Sequence, residues 1–338
     1  MGSPKLGRTT RLVEDEVLER IRQTLGGGID PPGLRDDAAV LEVPGGGPLV
    51  VSVDSVVEGI HVDLGLCSPG DVGWKALMGA LSDLAAMGAR PLGALVALCV
   101  PRSAGTGELA LGVMEGVAEA SRESRCPVVG GDVSAGETLV VAVTVLGTAD
   151  GRGPVARTGA RAGDAILVTG PCGGGAAGLR VLRARAGPGG SHEPGRVGPA
   201  RTVPPTATEE ALAAAYRRPV ARLAEGETAR VSGAHAMIDV SDGVALDLHR
   251  LADASDVGFE LDAVPAAEGA TPAEALGGGE DYELLVVVGE DDLEGFVARC
   301  GGAGLRAPIR IGTVTAHPQR RLLGGRELER LGWQHDLG

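Results

Sequence analysis

Aromatic residues are nearly missing from this chain: two Trp, two Tyr and two Phe supply only 2% of its 338 residues. A core without rings must be aliphatic, built from Val, Leu, Ala and Ile. Lysine occurs only at Lys5 and Lys75, so arginine carries nearly all the positive charge. With 56 glycines and abundant alanine, that skew reads as genomic base composition more than chemistry. The net charge of −14 argues against nucleic acid or an anionic membrane as partner, since both need a basic face. A nucleotide substrate stays open, because metal ions supply positive charge locally. Cys-x-x-Cys spacing is absent, and five scattered cysteines read as the reduced thiols of a cytoplasmic protein. No signal peptide is evident, and no apolar run is long enough to span a bilayer. No Walker sequence is present, which argues against a P-loop enzyme.

What the chain does have is carboxylate in awkward places. Asp54, Asp132 and Asp239 each end a short apolar run, with Asp242 three residues after the last of them. Asp83 lies inside the mostly apolar stretch from Trp74 to Met87, and Asp37 ends the pair Asp36-Asp37 ahead of Ala38-Ala39-Val40-Leu41. Carboxylates beside core-forming segments repel one another and resist desolvation unless a cation or hydrogen-bond donors compensate. Oxygen ligands in number suit hard cations, above all Mg²⁺ carrying a polyphosphate. The pattern points to metal-dependent phosphate chemistry.

The length allows two domains. Val13, Val17, Ile21 and Leu25 mark an amphipathic helix, followed by strands at 38–43 and 49–53, a helix at 71–87 and a strand at 92–100. A helix at 107–124 leads to a strand at 128–129, and a further strand at 138–146 alternates so weakly that burial on both faces is expected. The Gly/Arg/Pro-rich stretch 147–163 reads as a junction between domains 1–150 and 151–338. In the second half we expect strands at 165–169, 236–238, 281–288 and 309–314, and helices from 176, at 208–225 and at 244–254. Residues 183–205 read as a disordered insertion. Neither half alternates strictly, so two domains of α+β type are favoured over one doubly wound sheet.

Several motifs have ordinary explanations. Gly173-x-Gly175-x-x-Gly178 matches a dinucleotide fingerprint, but no acidic residue closes a second strand about twenty positions on. It therefore reads as a strand-to-helix turn or a phosphate-facing loop. Asp239-Val240-Ser241-Asp242-Gly243 exceeds what a helix cap needs. Asp36-Asp37, Gly277–Asp281, His61 and Arg157 are each ambiguous alone, while Met78 and Met87 fit core packing. Trp333 sits five residues from the end, where an indole is rarely kept unless it docks on the core or on a flat ligand.

Taken in order, Arg35-Asp36-Asp37-Ala38-Ala39, Val51-Ser52-Val53-Asp54, Glu58-Gly59-Ile60-His61, Leu81-Ser82-Asp83-Leu84-Ala85-Ala86-Met87-Gly88-Ala89, Gly130-Gly131-Asp132, Arg157-Thr158-Gly159-Ala160, Asp239-Val240-Ser241-Asp242-Gly243 and Gly278-Gly279-Glu280-Asp281-Tyr282-Glu283-Leu284 resemble the motif series of the thiamine-monophosphate kinase family. That family belongs to the aminoimidazole ribonucleotide synthetase and selenophosphate synthetase superfamily. The resemblance implies a two-domain α/β fold whose N-terminal sheet pairs with that of a second subunit, making a homodimer with the nucleotide in a cleft near the interface. It implies ATP as co-substrate, thiamine monophosphate as acceptor and several Mg²⁺ ions. By the same resemblance Asp37, Ser52, Asp54, Asp83, Asp132 and Asp239 are Mg²⁺ ligands, and Asp242 is a further metal position. Val53, where the family commonly has threonine, would bind through its carbonyl. Gly131, Asp132, Arg157 and Ser241 correspond to nucleotide contacts, and His61, Glu280 and Trp333 to the thiamine phosphate site. The chain departs from the usual pattern at Arg35, Val62 and Val133. A superfamily relative activating another small substrate, or a nucleotide-binding homologue without turnover, remain alternatives.

Overall fold

The computed structural model describes residues 14–25, 36–103, 105–187 and 204–335. Arg35, the start of the expected first helix and most of the 183–205 segment lie outside these residues. The amphipathic helix α1 (Glu14–Leu25) comes first, then β1 (Ala39–Glu42), β2 (Pro48–Val57), α2 (Pro69–Ala86), β3 (Arg90–Pro101), α3 (Thr106–Ser124), β4 (Val128–Gly136) and β5 (Val140–Thr148). The strands form one sheet in the order β1-β2-β5-β3-β4. Pairing is antiparallel except between β3 and β4.

Helix α2 is the spine of the molecule. Ser68 starts it with a capping box closed by Asp71, and Pro69 occupies its first turn, where a missing N–H costs nothing. Leu77, Leu81 and Leu84 pack on Val50, Val143 and Val145 of the sheet, each full burial contributing roughly 1.5–3 kcal/mol. Its last turn, Ala85 and Ala86, enters a different core, shared with Ala229, Met237 and Val286. α2 is therefore buried on nearly every side, and whatever polar groups it carries stand at the seam between the two halves.

The second half runs β6 (Ala165–Val168), α4 (Gly174–Ala186), α5 (Ala207–Arg217), α6 (Leu223–Val231), β7 (Ala236–Asp239), α7 (Val244–Ser255), β8 (Gly258–Leu261), α8 (Pro272–Gly277), β9 (Leu284–Val288), α9 (Glu290–Gly302), β10 (Ile309–Thr315), β11 (Arg321–Leu323) and β12 (Arg326–Glu327). Its sheet has the order β12-β11-β8-β10-β6-β9-β7. Leu248 and Leu251 of α7 pack with Ile238, Phe259 and Leu285, while Phe296 of α9 joins Leu167 and Met237. Both halves mix strands and helices without strict alternation, as expected.

Four expectations need correction. β5 is not buried on both faces: its residues alternate between fully and half buried, because helices cover only one face of this sheet within the chain. β2 runs on to Val57 and β4 to Gly136, so Asp54 and Asp132 lie inside strands rather than at their ends. The expected helix 208–225 is two helices, broken where Pro219 removes a donor. Arg183 to Ala186, expected in the insertion, are the last turn of α4.

Candidate active site

The edge left by β1 opens the site. β1 pairs only with Pro48 to Val51, so beyond Val51 that edge of β2 has no strand beside it. Ser52 and Asp54 then face the end of α2, and Val53 points the other way, 65% exposed. Its carbonyl lies on the open stretch of strand, which suits the backbone role expected of it. Asp37 arrives from the turn before β1, Ser82 and Asp83 from α2, and Asp239 from the end of β7. Carboxylate oxygens of Asp37, Asp83 and Asp239 come within 4.8 Å of one another.

Hydroxyls hold this cluster. Ser52 Oγ donates to Asp83 Oδ2 at 2.5 Å and to the Asp37 carbonyl at 3.2 Å. Ser82 Oγ donates to Asp239 Oδ2 at 2.6 Å, and Ser241 Oγ lies 3.4 Å from Asp239 Oδ1. Burial, joined by the neighbouring carboxylates, pushes Asp83 and Asp239 well above the usual carboxylate range. Asp36, also desolvated, is raised to about 6. One cation answers them: Arg157 makes a two-pronged contact with Asp37, at 2.6 and 3.2 Å, and its backbone N–H donates to Asp36 at 2.9 Å. Ser255 Oγ fixes Arg157 from behind through the Arg157 carbonyl. One guanidinium against this many carboxylates leaves negative charge uncompensated. An oxygen-only donor set with that deficit fits a hard divalent cation such as Mg²⁺.

The loops after β7 and α8 are stitched together. Glu280 N–H donates to the Ser241 carbonyl at 2.7 Å, Tyr282 N–H to Val240 at 2.9 Å, and Val240 N–H to Glu283 at 2.7 Å. A side chain at Gly279 would meet the Ser241 carbonyl at 2.6 Å, so the contact requires glycine. Glu280 and Tyr282 both have left-handed φ, 67° and 51°, a conformation costly for non-glycine residues and typical of sites where the surroundings impose it. Asp247 orders the first loop by accepting from the N–H groups of Asp242 and Gly243, each at 3.0 Å. Arg250 bridges Asp242 and Asp247. Burial raises Asp247 to about 7.

These elements enclose a cleft of about 800 Å³, lined among others by Asp54, Asp83, Asp239, Ser241 and Asp242 and by His61, Glu280 and Trp333. His61 Nδ1 accepts from the Val57 N–H at 3.0 Å. Its ring lies 5.7 Å from Trp333 and 5.2 Å from His335, and those two rings are 4.2 Å apart. Trp333 docks through its backbone N–H, which donates to the Asp242 carbonyl at 3.0 Å. Its indole stays 41% exposed to the cleft mouth. Tyr282 approaches the carboxylates beside Gly79: a Cβ there would lie 3.2 Å from Asp54 Oδ2 and 3.3 Å from the Tyr282 hydroxyl.

Two expected site residues are not brought here. Gly131 and Asp132 sit on β4, with Asp132 opposite Ala97, and neither lines the cleft. β4 is three strands from β2, about 14 Å at ordinary strand spacing. Asp132 points to the face of the sheet away from α2. Gly173 and Gly175 donate to Asp281, at 2.5 and 3.1 Å, so the glycine-rich start of α4 is capped internally and holds no open phosphate cradle. Ser82, Asp247, Lys75 and Tyr216 escaped the sequence reading. Ser82 adjoins Asp83 within the quoted run, and Lys75 was visible as the lone cation in a mostly apolar helix.

Comparison with known proteins sets this geometry in a family. Residues 35–149 match the family description "AIR synthase related protein, N-terminal domain", and residues 161–324 match "AIR synthase related protein, C-terminal domain". Thiamine-monophosphate kinase of Bacillus subtilis (strain 168) is 32% identical over 318 residues, covering 90% of this chain and 93% of that protein. A solved structure described as "AaThiL complexed with AMPPCP and TMP" superposes with a TM-score of 0.80 at 29% identity, covering 97% of this chain and 99% of the other. Thiamine-monophosphate kinase from Stenotrophomonas maltophilia K279a is 31% identical with a TM-score of 0.71, covering 94% of this chain and 98% of that one. Such a pair of domains around a carboxylate cleft is that of the AIR synthase related proteins. Within that class, the chain belongs to the thiamine-monophosphate kinase family.

Proposed function

We propose that this protein phosphorylates thiamine monophosphate to thiamine diphosphate, using ATP and direct in-line transfer. The observation that carries the reading is one cleft that brings clustered carboxylates together with an indole, imidazoles and a further carboxylate. The ring cluster with Glu280 suits a flat heteroaromatic cation, and the relative bound to an ATP analogue and TMP has the same fold. Asp37, Ser52, the Val53 carbonyl, Asp54, Asp83, Asp239 and Asp242 would hold Mg²⁺. Bound there, Mg²⁺ neutralises the polyphosphate and the charge that develops on the transferring group.

The chain's own groups do the positioning. Ser52 and Ser82 fix the carboxylate rotamers, and Asp247 fixes the loop that presents Ser241 to the nucleotide. Arg157 is held against Asp37 at the nucleotide side. Glu280 accepts from the pyrimidine amine, while Trp333 and His61 pack against the rings. The acceptor is already a phosphate oxygen, a nucleophile near neutral pH, so no strong general base is needed; alignment supplies much of the acceleration. Domain 1–150 contributes Asp37, Ser52, Asp54 and Asp83 on β2, α2 and the turn before β1, together with His61; domain 151–338 contributes Asp239, Asp242, Glu280 and Trp333.

We further propose a homodimer. The face of the N-terminal sheet away from α2 carries Val53, Leu92 and Leu95, at 65%, 52% and 41% exposure. A two-fold pairing of that face would bury them and give Asp132 and Gly131 a place at a shared cleft. The reduced cysteines fit a cytoplasmic location. Incubation with ATP, Mg²⁺ and thiamine monophosphate, followed by chromatographic separation, tests the activity. Thiamine diphosphate and ADP in equal amounts are expected; ADP without thiamine diphosphate would reject the assignment.

A further inference from the structure

Lys75 is one of the two lysines in the chain and is 1% exposed, in the middle of apolar α2. Its Nζ lies 2.7 Å from Glu280 Oε1, 3.5 Å from the His61 carbonyl and 3.9 Å from the centroid of the Tyr216 ring. An ammonium has three donors, and here a carboxylate, a carbonyl and a π face take them. The Tyr216 hydroxyl closes the circle by donating to the same His61 carbonyl at 3.4 Å. His61, Tyr216 and Glu280 all line the cleft, yet they come from three separate segments: the turn after β2, helix α5 and the strained loop before β9. Lys75 is the buried charge on which all three converge.

From this geometry we infer that Lys75 is the positioning residue of the acceptor pocket, setting Glu280, the His61 turn and Tyr216 in register for a flat cationic substrate without touching it. The inference rests on the proposed activity and deepens it. Glu280 has a left-handed backbone and a long side chain, so its carboxylate needs an outside anchor. The pair with Lys75 supplies one. It also balances Glu280 in a cleft that already holds Asp54, Asp83 and Asp239. Without the ammonium, Glu280 would be one more repelled carboxylate with several rotamers open to it. Complementarity to a cation would fall, while the metal side would keep its own ligands.

The test is Lys75→Met, which keeps the apolar stem and volume and removes the charge. Replacing one member of a buried pair in this way is expected to raise KM for thiamine monophosphate about tenfold or more, with KM for ATP within about twofold. Calorimetric binding of thiamine monophosphate, without turnover, should weaken by the same factor. In the Lys75→Met background, Glu280→Gln should cost clearly less than it does in the wild type, because residues that act as a unit are not additive. A residue needed only for folding would move both Michaelis constants together, or move thermal stability and neither constant; either result overturns the inference, as does additivity with Glu280→Gln. Should Lys75→Met not fold, Lys75→Arg carries the test. It keeps the charge but displaces the compact ammonium from above Tyr216, and a rise in KM confined to thiamine monophosphate is again expected. Wild-type protein is assayed first with thiamine monophosphate. No turnover there rejects the proposed activity, whereas turnover with unselective variants rejects the role of Lys75 alone.

Discussion

Asp83→Asn should make the metal-free protein more stable while disabling it. Carboxylates of Asp37, Asp83 and Asp239 approach within 4.8 Å. Two unit charges at that separation repel by about 3.5 kcal/mol at an effective dielectric of about 20. The Ser52 bond to Asp83 offsets about 1.5–3 kcal/mol of this, and Asn keeps an oxygen to accept it. Proton uptake relieves part of the remainder, since burial and the neighbouring aspartates hold Asp83 well above its ordinary range. A net gain of about 1–2 kcal/mol is left, which raises Tm by roughly 1–3 °C in a chain of this length.

The sign with pH follows from the same shifts. Raised folded-state values for Asp83 and Asp239 mean that the folded chain binds more protons than the unfolded one. Their contribution to stability is fully present below about pH 4 and is lost as pH rises through the folded values. Mg²⁺ competes with those protons, so its effect on Tm should grow as pH rises. Differential scanning fluorimetry with and without Mg²⁺ reads both effects. A destabilised metal-free Asp83→Asn, or a Mg²⁺ effect that shrinks toward high pH, would refute the reasoning.

Asp54→Asn should abolish turnover by removing a Mg²⁺ ligand, and Asp132→Asn should do so through the cleft shared in the dimer, each with the fold intact by circular dichroism; near-normal activity at saturating Mg²⁺ would remove Asp54 from the metal set and Asp132 from the shared cleft. Light scattering at micromolar concentration should give a dimer, and Leu95→Arg on the open sheet face should give a monomer with little activity; a monomeric wild type would contradict the shared cleft. Trp333→Ala should raise KM for thiamine monophosphate by roughly three- to thirtyfold, the range expected from losing a stacking cation–π contact, with KM for ATP hardly moved. Loss of ATP affinity instead would make Trp333 a packing residue.

Much of the site was legible because carboxylates in apolar runs have few explanations. Asp239 does end its strand, and Asp37 and Asp83 do meet it. The reading stopped where local pattern carries no information on the third dimension. Nothing in Gly130-Gly131-Asp132 tells which face of an edge strand the aspartate takes, and here it turns from the cleft. Weak alternation in β5 was read as double burial, whereas the open face is apolar without being covered in the chain. α9 went unseen because Phe296 and Cys300 are its only buried side chains, too few for a stripe. β11 and β12, three and two residues long, have no period to detect. The scarcity of lysine was read as base composition, although a buried cation among aliphatics must find a partner, and Glu280 lies far off in sequence.

The central claim is that one cleft aligns a nucleotide with a phosphorylated heteroaromatic cation for direct transfer. Coupled ADP release, measured with Mg²⁺·ATP alone and again with thiamine monophosphate added, tests it most directly. Direct transfer predicts almost no ADP without the acceptor and one ADP per thiamine diphosphate once it is present. Release of ADP at the same rate with and without thiamine monophosphate would contradict the account.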